Sequence, residues 1–173
     1  MLEEAGLPYE HVLVDWAQGE SRTPEFLAIN PNGKIPVLTD GDLRLFESLA
    51  INYHIARHYA PALWVDDARE ESVATQWLAW GLAELEGPHD AANRDGSNVN
   101  VERLDVSLDV LRQTLSRQPY LLGDKFTVVD LNTAALLLRP QYRKFVRDDP
   151  QLCDWFSACT TREALDRAIT PKS

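Results

Sequence analysis

The chain has 173 residues and a mass of 19.6 kDa, enough for one or two small domains with cores of their own. Apolar residues make up 45% and charged residues 25%, the proportions of a soluble globular protein. A net charge of −10 argues against nucleic acid as a partner, because no basic footprint offsets repulsion from phosphates.

The first segment, Met1 to Glu4, reads as the tail of a helix stopped by Gly6, with Pro8 forbidding its continuation. Tyr9 to Asp15 is a β-like run. Thr23-Pro24-Glu25 opens a short helix, with Thr23 as N-cap and Pro24 in the first helical position. Asn30 to Gly33 is turn chemistry. Lys34 to Thr39 reads as a strand, Asp40-Gly41-Asp42 as a hairpin turn and Leu43 to Phe46 as the returning strand. Ser48 to Tyr59 is a helix with Leu49, Ile51, Ile55 and Ala56 as its buried face, and Pro61 follows its end.

After Pro61 the pattern turns helical. Asp66 to Arg94 reads as one long helical stretch, with Val73, Trp77, Leu78, Trp80 and Leu85 on its apolar side and a break at Asp95-Gly96-Ser97-Asn98. Val101, Leu104, Leu108, Leu111 and Leu115 recur at three- and four-residue steps, the signature of a second helix. A third begins at Thr127, and further helix interrupted by Pro140 and Pro150 runs to the C-terminus. Thr127-Val128-Val129-Asp130 reads as a capping box in which Asp replaces the usual Glu or Gln, with Phe126 and Leu131 placed for a hydrophobic staple. This Asp is structural and not catalytic. Two domains are expected, 1–62 and 66–173, the first mixing strands and helices and the second all-α.

Several residues are set aside. Cys153 and Cys159 lie six apart in a helical segment and point to different faces, so they form neither a CxxC pair nor a disulfide. The basic stretch of Arg139, Arg143, Lys144 and Arg147 lies among acids and reads as a solvated face. His54 and His58 are four apart on one helix but lack a third ligand, so they read as surface histidines. His11 and His89 have no evident partner, and Trp77 and Trp80 read as core or interface. No apolar run approaches the ~18 residues of a membrane span and no stretch resembles a signal peptide. A cytoplasmic location is expected.

The stretch Asn30-Pro31-Asn32-Gly33-Lys34-Ile35-Pro36-Val37-Leu38 carries the chemistry. Proline inside an apolar β run removes a ladder donor. If the Ile35-Pro36 bond is cis, the Ile35 backbone faces outward and an extended peptide can pair with it; a trans proline on an edge strand is the alternative. Glu47-Ser48 follows at the start of a helix, where free N–H groups and a hydroxyl receive a carboxylate, and Glu47 can accept from an ammonium. A simple capping role for Ser48 is the competing possibility.

Taken with the βαββα order, the N-P-N-G-K-I-P-V-L stretch, the F-E-S-L-A-I-N-Y helix opening and the L-L-G-D-K-F-T-V-V-D-L segment resemble the cytosolic glutathione transferases, bacterial and theta-like members more than the tyrosine-type classes. The resemblance covers essentially the whole chain. It implies a thioredoxin-like domain followed by an all-helical one. Pro36 would be a cis-proline, Ile35 would bond the cysteinyl part of glutathione, Glu47 and Ser48 would hold the γ-glutamyl end, and Lys34 would approach the glycyl carboxylate. Glutathione would be co-substrate, and a small apolar electrophile would lie between the domains against the long helix around Trp77 to His89. A homodimer, joining one copy's helical domain to the other's sheet domain, is also implied, as is a detoxification role.

One departure from the family pattern bears on activity. Family members activate the glutathione thiol with a Tyr, Ser or Cys after a first strand, which would fall ahead of Met1. The expectation is therefore a sheet domain lacking that strand, with Tyr9 to Asp15 detached from the other strands. A non-catalytic binding or scaffold module stands as the alternative to a conjugating enzyme.

Overall fold

A computed structural model describes residues 1–86 and 100–170. Helix α1, Leu2–Ala5, ends at Gly6, whose φ of 63° lets its N–H return to the Glu3 carbonyl. Helix α2, Pro24–Ile29, starts as its sequence dictates: the Thr23 hydroxyl accepts from the Phe26 N–H at 3.3 Å and Pro24 fills the first turn. Strands β1 (Val37–Asp40) and β2 (Leu43–Phe46) form an antiparallel hairpin with Val37 opposite Phe46 and Asp40 opposite Leu43. Helix α3, Ser48–Tyr59, lies against it and buries Leu49, Ile51, Ile55 and Ala56, the four residues its spacing singles out.

The second half is built of helices joined by turns, with an isolated bridge between Tyr120 and Gly123. Helix α4, Ala68–Trp80, is capped by the Asp67 carboxylate and runs into a π-helical turn at Gly81–Glu86. Then come α5 (Val101–Leu115), α6 (Val128–Leu137), α7 (Pro140–Arg147), α8 (Cys153–Thr160) and α9 (Glu163–Ile169). The architecture is a small thioredoxin-like half with a two-stranded sheet, followed by an all-α half. Most of the hydrophobic core lies in the second half, where Leu108, Leu111, Leu121, Leu137, Val146, Leu152 and Trp155 pack together.

The structure departs from the sequence reading in several places. Tyr9 to Asp15 forms no strand; Val12 and Leu13 are 69% and 78% exposed. A β pattern needs a neighbour to pair with, and β1 and β2 pair only with each other among the described residues. The strand expected from Lys34 begins at Val37, because Pro36 has no N–H and the Lys34 carbonyl is taken by the Asn30 amide at 2.7 Å. In the long helical stretch Val73 is exposed and Ala74 fills the buried position instead. That stretch also changes register at Gly81, where the Leu85 carbonyl accepts from the Tyr142 hydroxyl at 3.0 Å. The expected break at 95–98 lies outside the described residues, as does His89. Cys153 and Cys159 are free, and burial pushes the Cys159 thiol well above the usual range.

Two of the set-aside groups have partners. The basic stretch is not wholly a solvated face, since Arg139 is half-buried and its Nη2 donates to Glu86 at 2.7 Å. His54 is not a free surface histidine either: its Nε2 lies 3.1 Å from Asp40 Oδ2, which also accepts from the Tyr59 hydroxyl. These contacts hold the end of β1 against α3.

Both halves are joined at several points. Arg162 makes paired bonds of 2.6 and 2.7 Å to Glu4, and its guanidinium sits 3.9 Å from the Phe126 ring centroid. Arg167 reaches Glu3 at 3.1 Å. In the middle of α3 the Asn52 amide donates to Asn132 Oδ1 at 2.7 Å, and the Tyr53 hydroxyl donates to the Ala74 carbonyl.

The capping box forms as read, and does more than cap. Asp130 is fully buried. Its Oδ2 accepts from the Thr127 N–H and hydroxyl at 3.0 and 3.1 Å, and its Oδ1 accepts from the Leu121 N–H and Trp155 Nε1 at 2.8 and 3.0 Å. Burial raises the carboxyl pKa while these four donors oppose the rise. Asp130→Ala leaves the donors unsatisfied in the core, and is expected to cost on the order of 4 kcal/mol. Thermal unfolding followed by circular dichroism checks it; a loss of under about 1 kcal/mol would mean that water replaces the carboxylate.

Candidate functional site

The loop before β1 is built around a buried side chain. Asn30 donates from Nδ2 to the Lys34 carbonyl at 2.7 Å, accepts the Asn32 N–H on Oδ1 at 3.0 Å, and receives the Gly33 N–H on its own carbonyl at 2.9 Å. Gly33 closes the turn at a φ of 60°, and a Cβ there would stand 2.9 Å from the Ser21 carbonyl oxygen. Glycine is therefore required for both backbone conformation and space. Arg22 Nη1 donates to the Asn32 carbonyl at 3.1 Å and completes the clasp.

This clasp delivers Lys34, Ile35 and Pro36, all exposed, to the edge of the hairpin. The Ile35-Pro36 peptide bond is cis. Among the described residues neither the Ile35 N–H nor its carbonyl has a hydrogen-bond partner. An extended ligand backbone can pair with both.

Glu47 and Ser48 lie where β2 passes into α3. Glu47 is the N-cap, and its carbonyl accepts from the Ile51 N–H at 3.0 Å as the first bond of the helix. The Ser48 hydroxyl does not cap the helix, because Ser48 is already its first residue and no side chain caps α3. Ser48 and Glu47 are both exposed. The open N–H groups at this end form an anion-binding terminus, with a hydroxyl and a carboxylate beside it. Glu47 has φ 72° and ψ 109°, the one positive φ outside glycine among the described residues. A side chain held there stores on the order of 1–3 kcal/mol of strain.

The structure thus brings the Lys34–Pro36 edge and the start of α3 together at the open end of one β-hairpin, where Val37 faces Phe46 across the ladder. An anion-accepting helix end beside an open backbone edge suits a short peptide with a charged terminus. Sequence reading placed Asn30 in a turn but did not see its side chain organising the loop, nor Arg22 bonding to it from behind. The N-P-N-G turn was their only signal. Of the stretch expected to face a second ligand, Trp77 is buried while Leu82 is exposed, and residues 87–89 lie outside the described part.

The model of the glutathione S-transferase N-terminal domain matches residues 1–57, and that of the C-terminal domain matches residues 87–163. Glutathione S-transferase 3 of Zea mays is 36% identical, with 98% of this chain and 85% of the relative covered. Glutathione S-transferase 4 of the same plant is 34% identical over 96% of this chain and 82% of its own length. The chain belongs to the glutathione S-transferase family. A solved structure of glutathione S-transferase I from maize, in complex with an atrazine glutathione conjugate, superposes with a TM-score of 0.77 at 28% identity, covering 96% of this chain and 86% of that one.

At position 47 the backbone turns into the helix while the exposed carboxylate stands beside the helix end. Glu47→Gly removes the strain. It is expected to raise Tm by a few degrees while weakening glutathione binding by tenfold or more, on the order of 1.4 kcal/mol. Melting curves and calorimetric titration on the same preparation separate the two effects. A variant with lower Tm and unchanged affinity would show that the conformation serves only the fold.

Proposed function

We propose that this chain binds glutathione at the Lys34–Pro36 edge and the start of α3, and transfers its thiol to a small apolar electrophile between the two halves. Ile35 pairs through its backbone with the cysteinyl unit. Ser48 and the free α3 N–H groups take the γ-glutamyl carboxylate, Glu47 takes the ammonium, and Lys34 approaches the glycyl carboxylate. In the chemical step the thiolate sulfur attacks the electrophilic carbon, forming a C–S bond as the leaving group departs with its electron pair. The unpartnered Ile35 backbone beside an uncapped helix end is the observation that carries this reading, together with family membership.

Glutathione titrated calorimetrically into the protein is expected to bind, and Ser48→Ala to weaken it by about tenfold. Turnover of a nitroaromatic halide by the same preparation supports the enzyme. Binding with no turnover supports a non-catalytic glutathione-binding module instead, and absence of binding overturns both.

We further propose a homodimer in which the helical half of one copy packs on the sheet half of the other. A groove of about 330 Å³ supports it, lined by Leu43, Leu45, Tyr53, His54 and Trp64 where β2, α3 and α4 meet. Sedimentation equilibrium should return twice the 19.6 kDa of one chain, and a single-chain mass would sink the pairing. The free Cys153 and Cys159 fit a reducing, cytoplasmic compartment, consistent with detoxification. No helix among the described residues is long and apolar enough to cross a membrane.

A further inference from the structure

Where the two halves meet, one polar atom has nothing to bond. Asn132 of α6 is 4% exposed, and its Oδ1 accepts from Asn52 Nδ2 of α3. Its own Nδ2 is buried and has no hydrogen-bond partner. Exchanging the O and N positions of both amides together would keep the Asn52–Asn132 bond and turn the Asn132 oxygen the same way. Either assignment leaves one polar atom of Asn132 in need of a partner.

Asn132 lines a small cavity at this joint. Helix α3 contributes Leu49 and Tyr53 to it, the π turn Gly81, and α6 Asn132 and Thr133. Its volume is about 10 Å³, the room one water molecule needs. Thr133 and Tyr53, which both carry hydroxyls, line it together with Asn132. Gly81 keeps the space open, because a Cβ there would already stand 3.3 Å from Leu136 Cδ1. A buried amide group left without any partner is costly, whereas a bridging water satisfies it at little entropic expense.

We propose that this cavity is a binding site for a single water molecule held by Asn132, and that the Asn52–Asn132–water joint positions the ligand-binding end of α3. Asn52 lies one helical turn beyond Ser48, so a bond that fixes Asn52 fixes the direction of the N–H groups ahead of it. Asn132 is thus a positioning residue and touches no ligand. This second part rests on the glutathione reading above; the water itself does not.

A crystal structure of the protein at a resolution that shows ordered waters tests the site directly. Density within hydrogen-bond distance of the Asn132 amide and a cavity hydroxyl is expected. An empty cavity, or an Asn132 side chain turned to another partner, would overturn the site whether or not glutathione binds. Positioning is tested by Asn132→Leu, measured well below its own Tm. Its glutathione Kd is expected to rise on the order of threefold to tenfold, with Asn132→Asp, which keeps an acceptor for Asn52 and a polar atom for the water, restoring most of the affinity. A folded Leu variant with the parent's Kd would show that Asn132 serves the packing alone. If the parent itself binds no glutathione, the functional reading fails while the density still decides the water.

Discussion

The buried carboxylate of Asp130 is the constraint on which the rest of this molecule depends. It sits at the start of α6 and gathers donors from the preceding Thr127, from Leu121 in the loop after α5, and from Trp155 on α8. Three chain segments are thereby fixed against one another by a group that has no other way to be satisfied. Helix α6 is the element so fixed, and it is also the element that meets α3. Its Val129, Asn132, Thr133 and Leu136 face Leu49 and Tyr53 around the cavity at the joint. The position of the start of α3 is therefore inherited from a carboxylate well inside the other half of the protein.

From the opposite side the site is held by a turn rather than a core. Asn30 is as buried as a core leucine although nearly all its neighbours in sequence are exposed. It makes bonds to the backbone on both sides of Gly33 and so replaces the sheet ladder that Pro36 forbids. The strain at Glu47 sits between these two supports. A residue in that conformation persists only when its surroundings over-determine it, and here β2 before it and the well-buried α3 after it do so. Rigid flanks on either side hold this one strained link and so fix where the exposed Glu47 side chain stands.

Signals that act over a few residues were legible in the sequence, and signals that act across the chain were not. The buried face of α3, the Thr23-Pro24 start, the Gly6 stop and the Thr127–Asp130 box all depend on spacing within one element, and each stands where the spacing put it. For the site, sequence reading named the residues on the surface but left the Ile35-Pro36 bond open between cis and trans; the cis form came from the family resemblance, and the structure contains it. It did not see Asn52 meeting Asn132, eighty positions apart, nor the π turn at Gly81–Glu86, whose Leu85 carbonyl accepts from Tyr142. Position 47 is a backbone conformation, and nothing in the letter Glu announces a positive φ. The β-like run at residues 9–15 forms no strand, in line with the expectation that it stands detached from the hairpin, since an apolar run shows which residues suit a strand and leaves the partner unstated.

Charge arrangement completes the account of how the two halves behave as one. The chain carries an excess of acids, and self-repulsion alone would favour their separation. Acids at the joint are neutralised pairwise. Glu4 receives a two-pronged arginine, Glu3 a second arginine from the same C-terminal segment, and Arg57 of α3 pairs with Glu71 of α4. Exposed pairs of this kind are individually worth little. The Glu4–Arg162 pair differs, because Glu4 is well shielded and the guanidinium also covers the Phe126 ring. That ring belongs to the residue just before Thr127 and Asp130, so the contact joining α1 to the helical half lands beside the carboxylate that organises that half. Packing of the first helix and of the site helix α3 thus converges on the start of α6 from two directions, leaving the sheet half little freedom to move without disturbing the core.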